Sequence, residues 1–95
     1  MKNKLTRTVT IENEDVLKAN EEIHKFEITK CCPAYQAFKR NGLRDFYVGG
    51  GIISNKQKLL FDFTNTSFAQ ISMSTRFDWD NIVGTSVEIP EEIFT

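Results

Sequence analysis

Apolar and polar residues alternate along residues 5–11, which places Leu5, Val9 and Ile11 on one face with Arg7 beside them and the threonines on the other. That period of two predicts a half-buried strand. Asn13 is a good N-cap, Glu14 and Asp15 fall in the first turn after it, and Val16, Leu17 and Ala19 follow, so a short acidic helix ending near Asn20 is expected. Residues 21–30 are ambiguous, because Ile23, Phe26 and Ile28 fit either a further helical turn or an extended linker with a short strand.

The most self-contained element is residues 31–42, Cys-Cys-Pro-Ala-Tyr-Gln-Ala-Phe-Lys-Arg-Asn-Gly. Pro33 suits the first helical turn, where its missing N–H leaves no acceptor unpaired, and Gly42 suits the left-handed residue that ends a helix. Lys39 and Arg40 fall at the negative end of the helix dipole, and the two thiols at the positive end. Residues 43–49 then read as a strand with Phe46 and Val48 on one face and Asp45 and Tyr47 on the other, closed by Gly49-Gly50-Gly51. Ile52 and Ile53, a polar Ser54-Asn55-Lys56 turn, and residues 58–63 with Leu59, Phe61 and Phe63 alternating against Leu60 and Asp62 complete an antiparallel meander.

Beyond a second turn at residues 64–67, residues 68–73 read as a strand or, alternatively, a helix. Thr75 and Asp78 have capping-box spacing before a short helix ending at Gly84, which would set Phe77 and Trp79 against the sheet, and residues 87–89 suit a last strand before Pro90. The expected fold is a single α+β domain over residues 1–95, with a small, mostly antiparallel sheet and two or three short helices.

Composition narrows the functional classes. Ninety-five residues, 40% hydrophobic and 26% charged, describe one soluble domain near the low end of sizes that bury a core unaided. A formal charge of -1 argues against a coat for duplex nucleic acid, which needs a basic excess. Charge is nevertheless uneven: residues 1–60 hold eleven Lys or Arg against seven acids, and residues 61–95 only Arg76 against six. No run is apolar enough to span a membrane and no signal peptide is evident, so a cytoplasmic protein is expected. Cys31 and Cys32 are adjacent, rarely bridge, and fit a reducing compartment.

Candidate chemistry gathers on one stretch. Lys39, Arg40, Arg44, Lys56 and Lys58 flank the glycines Gly49, Gly50 and Gly51, whose backbone N–H groups can approach an anion. With Tyr35 and either Phe46 or Tyr47, they suit a phosphate plus a stacked base. A tight hairpin is the simpler reading of the glycines, and scattered surface cations the simpler reading of the basic residues. Trp79, Ile93 and Phe94 are the candidate anchors of a homo-oligomer interface. No catalytic constellation, metal set or cofactor motif is present; a thiol enzyme built on Cys32 and His24 is the formal enzymatic alternative, set against two cysteines acting as small buried hydrophobes.

The Cys-Pro helix with Ala34, Ala37 and Lys39-Arg40-x-Gly42, then Phe77-Asp78 and the ending Val87-x-Ile89-Pro90-x-x-x-Phe94, resembles small uncharacterised accessory proteins encoded by bacteriophages. The resemblance implies action on a host factor by binding, in the host cytoplasm. The expected function is therefore non-enzymatic inhibition of a host antiviral defence by sequestering a small anionic ligand such as a nucleotide signal. Its rival is a protein–protein inhibitor docking on a host defence complex.

Overall fold

The computed structural model describes residues 5–25, 27, 30–49, 51–66 and 82–94. The alternatives at residues 68–73, the expected helix before Gly84 as far as residue 81 together with Trp79, the readings of Phe26 and Ile28, and Gly50 lie outside them; Ile82 and Val83, the expected end of that helix, are not helical. Among the described residues the chain forms β1 (Thr6–Thr10), α1 (Asn13–Glu22), α2 (Pro33–Arg40), β2 (Tyr47–Gly49), β3 (Ile52–Ser54), β4 (Leu59–Asp62), β5 (Ser86–Pro90) and a closing 3-10 turn, Glu91–Phe94. This is an α+β fold with two antiparallel sheets, β1-β5 and β2-β3-β4, rather than one continuous sheet.

The first sheet joins the two ends of the described chain. Val9 pairs with Val87, and Arg7 with Ile89. Val9, Ile11, Val87 and Ile89 are buried. On the outer face Glu88 accepts hydrogen bonds from the hydroxyls of Thr6 and Thr8. Those hydroxyls hold its carboxyl below the usual range, Thr8 contributing most. Leu5 precedes the first paired residue and is 76% exposed, so the strand pattern overextends by one apolar position.

Helix α1 begins one residue earlier and ends later than expected. Glu12, not Asn13, is the N-cap, and Asp15 Oδ2 accepts from the Glu12 N–H at 2.8 Å. The helix passes Asn20 because the backbone ladder continues, with Ile23 N–H donating to Ala19 O at 2.9 Å. Residues 21 and 22 of the ambiguous segment therefore belong to α1.

Helix α2 follows its sequence signals closely. Cys32 caps it in an extended conformation and Pro33 opens it. Asn41 closes it, and Gly42 takes φ 106°. Leu43 N–H donates to Phe38 O at 3.1 Å and Gly42 N–H to Lys39 O at 3.0 Å, the paired bonds of a Schellman ending, with Leu43 and Phe38 both buried. Phe38 sits at the centre of the core, edge-on to Phe63 at 5.7 Å and to Phe46 at 6.4 Å. It thereby holds α2 onto the second sheet.

The meander forms with two departures. The strand expected over residues 43–49 pairs only from Tyr47 to Gly49, because Asp45 takes φ 56° and residues 43–46 run as a connection out of α2. Ile53 pairs with Phe61 but Ser54 with Leu59, so Leu60 is an extra residue and the strand is bulged. The bulge breaks the alternation, leaving Leu59 53% exposed while Phe63 is buried. Between β2 and β3, Gly51 adopts φ 77°, and a Cβ there would stand 2.8 Å from Thr64 Cα. Gly51 O accepts from Phe63 N–H at 2.8 Å, fixing that approach. Gly51→Ala is expected to cost roughly 1–3 kcal/mol. Urea denaturation checks this, and an unchanged midpoint would contradict it.

Candidate functional site

A cleft of about 600 Å³ opens between the start of α2, the approach to β2 and the β3–β4 turn. Lys30 and Tyr35 line it from the α2 side, Asp45, Phe46 and Tyr47 from the β2 side, and Asn55, Lys56 and Gln57 from the turn. Its volume falls within the roughly 300–1,000 Å³ common for small-molecule sites.

Each wall has a local cause. Tyr35 is on the first turn of α2 and stacks on Phe46, ring centroids 4.5 Å apart and planes 19° from parallel. Phe46 is itself anchored by Phe38, so the core sets the position of the stacked pair. Tyr47 opens β2 with its ring half-buried, and the Lys30 ammonium lies 4.7 Å from its centroid. A cation over an aromatic face is attracted by the ring quadrupole, which holds Lys30 at the cleft. In the turn, Asn55 Oδ1 accepts from the N–H groups of Gln57 at 2.8 Å and Lys58 at 2.9 Å. That bonding fixes the loop that carries Lys56 and Gln57.

Asp45 stands apart in its backbone, with φ 56°, the one non-glycine residue at positive φ among the described residues. It is exposed and has no ion-pair partner among them. Tyr35 registers its charge: burial first, then Glu22 and then Asp45 push the phenol upward.

Of the residues singled out in the sequence, the cleft unites Tyr35, Phe46, Tyr47 and Lys56. Lys39 lies near it, 6.0 Å from the Tyr35 centroid, without lining it. Arg40 is engaged elsewhere: Nε and Nη2 clamp the Asp15 carboxylate at 3.1 and 2.9 Å, and Nη2 also donates to Thr10 O at 2.8 Å. Arg44 and Lys58 are exposed and do not line the cleft. Gly49 is a paired strand residue and Gly51 a tight-turn residue, so these two glycines serve the hairpin. Ile93 and Phe94 are half-buried against the chain's own core, with the Arg7 guanidinium 4.3 Å above the Phe94 ring. Lys30, Asp45, Asn55 and Gln57 were not among the sequence's site candidates. Lys30 belongs to the ambiguous segment, and no periodicity marks a loop residue such as Asp45.

The cysteines are buried, and neither forms a disulfide. Burial pushes the Cys32 thiol up to about 11, outweighing the backbone N–H groups of Tyr35 and Ala34 that favour the thiolate. Cys31 is also raised, by burial and then by Glu22. At Cys32 burial outweighs the helix start, and His24 is exposed just past the Ile23 C-cap of α1. Among the described residues no three His, Cys, Asp or Glu side chains gather as metal ligands, and no helix is long and apolar enough to cross a membrane.

Compared with family models, curated proteins and solved structures, the chain finds no match.

Proposed function

We propose that this protein is a non-enzymatic binding protein that holds a small anionic ligand with a planar ring, of the nucleotide class, in the cleft between α2, β2 and the β3–β4 turn. One observation carries the reading: two lysines, Lys30 and Lys56, line the same cleft as the rings of Tyr35 and Tyr47, with the Lys30 ammonium 4.7 Å from the Tyr47 ring centroid. Neither lysine has an ion-pair partner among the described residues. Both charges are thus available to a phosphate, and the rings supply flat apolar surface for a base. Sequestration requires a pocket and affinity alone. In the phage setting implied by the sequence resemblance, the ligand is a nucleotide signal of a host defence, withdrawn by stoichiometric capture.

Nucleoside monophosphates are expected to raise the melting temperature by mass action, with about 2.7 kcal/mol of added stability when free ligand reaches one hundred times Kd. Lys56→Glu should remove that shift and leave the unliganded melting temperature within a degree or two, because an exposed, unpaired lysine contributes little to stability. Differential scanning fluorimetry reads both effects. Flat curves across the nucleotide panel would overturn the proposal, and stoichiometric capture of a host protein with those flat curves would favour the protein–protein inhibitor.

A further inference from the structure

The cleft holds a group that an anion site does not need. Asp45 places a carboxylate among its walls, and a carboxylate repels a phosphate. Covering a carboxylate without giving it hydrogen bonds is costly, so a ligand that displaces water from Asp45 is favoured when it presents donors to it. A carboxylate is acceptor-only, with two oxygens side by side, and matches a pair of adjacent donors. The Lys30 ammonium lies over Tyr47, whereas Asp45 directly precedes Phe46, whose ring is stacked on Tyr35. A ligand spanning the cleft meets Asp45 with the edge of its planar part and the lysines with its anionic part.

We infer that Asp45 is the specificity residue of this cleft: held at positive φ between Arg44 and Phe46, its carboxylate accepts the adjacent N1–H and N2–H donors of a guanine base whose phosphate is bound by Lys30 and Lys56. Among the neutral common bases guanine alone offers two neighbouring N–H donors on one edge. Adenine and cytosine offer one amino group next to an acceptor, and uracil a single N–H flanked by carbonyls. The left-handed backbone at Asp45 belongs to the same design. Asp and Asn tolerate it better than other residues with a Cβ, so the position admits a polar recognition group.

This inference rests on the nucleotide-binding reading above, and the test separates the two. Titration calorimetry compares GMP, IMP, AMP and 2′-deoxy-GMP on the wild-type chain and on Asp45→Asn, which keeps the side chain's shape and its tolerance of positive φ. Hydrogen bonds to a charged acceptor are worth enough to set preferences of about tenfold or more. GMP and 2′-deoxy-GMP should therefore bind alike, and at least about tenfold tighter than IMP, which lacks the N2 amine, and AMP. Asp45→Asn should abolish that preference while leaving AMP binding unchanged or slightly tighter. Equal affinities for GMP and AMP, unaffected by Asp45→Asn, would overturn the role of Asp45 and leave the binding cleft standing. A preference lost in 2′-deoxy-GMP would assign the carboxylate to the ribose and overturn the inference. Absence of binding by all four nucleotides would overturn both readings.

Discussion

Phe38→Ala is expected to destabilise the protein by about 3–5 kcal/mol, the largest effect of any single substitution considered for this chain. The ring is completely buried and lies edge-on to both Phe46 and Phe63, so its loss removes apolar burial and two aromatic contacts and leaves a cavity between α2 and the second sheet. The same residue supplies the carbonyl that accepts Leu43 N–H at the end of α2, so collapse around the cavity would pull on the helix stop. Small domains have total stabilities of about 5–15 kcal/mol, so this loss brings the chain near its unfolding threshold. Urea denaturation followed by far-UV circular dichroism measures it. A loss below about 1 kcal/mol would show that Phe38 does not organise the core. The effect reaches the cleft, because Phe38 backs Phe46 and Phe46 backs Tyr35.

Arg40→Ala should cost about 3 kcal/mol, far more than a surface cation contributes. Asp15 is 2% exposed, and Arg40 grips both of its carboxylate oxygens while reaching the carbonyl of Thr10. Without the guanidinium the buried carboxylate keeps the Glu12 N–H and loses its counter-charge. The pair clamps the end of α2 to the start of α1 and the end of β1. Arg40 is held in its charged form chiefly by its hydrogen bonds to Asp15. Arg44→Ala is the matched control: Arg44 is exposed, has no ion-pair partner among the described residues, and should change stability by less than about 0.5 kcal/mol. Arg40→Lys should recover only part of the loss, since a single ammonium cannot reproduce the two-pronged contact. Equal losses for Arg40→Ala and Arg44→Ala in chemical denaturation would contradict the clamp.

Arg40 also shows where sequence reading stops. Its place at the end of α2 was legible, because Pro33, the apolar spacing and Gly42 define that helix locally. Its partner was not, because Asp15 lies 25 residues away and looks, in sequence, like an ordinary acidic residue of a helix's first turn. Local signals likewise gave β1, β5 and the meander, while the division into two sheets depends on pairing β1 with β5 across most of the chain. The bulge at Leu60 is invisible to a period-two pattern that runs unbroken through Leu59, Phe61 and Phe63. For the site, aromatic and basic residues near the glycines gave Tyr35, Phe46, Tyr47 and Lys56. The glycines themselves pointed to the hairpin end, whereas the cleft lies along the β3–β4 turn. Lys30 and Asp45 enter through tertiary placement of connecting segments, which no periodicity encodes.

The location of binding is the central claim, and titrating the isotopically labelled chain with GMP while following its backbone amide NMR spectrum tests it most directly. Saturable shifts are expected at Lys30, Tyr35, residues 45–47 and residues 55–57, with Arg40, Arg44 and the β1-β5 sheet unmoved. Shifts centred instead on Gly49, Gly51 and Arg44, or a spectrum unchanged by millimolar GMP, would contradict it.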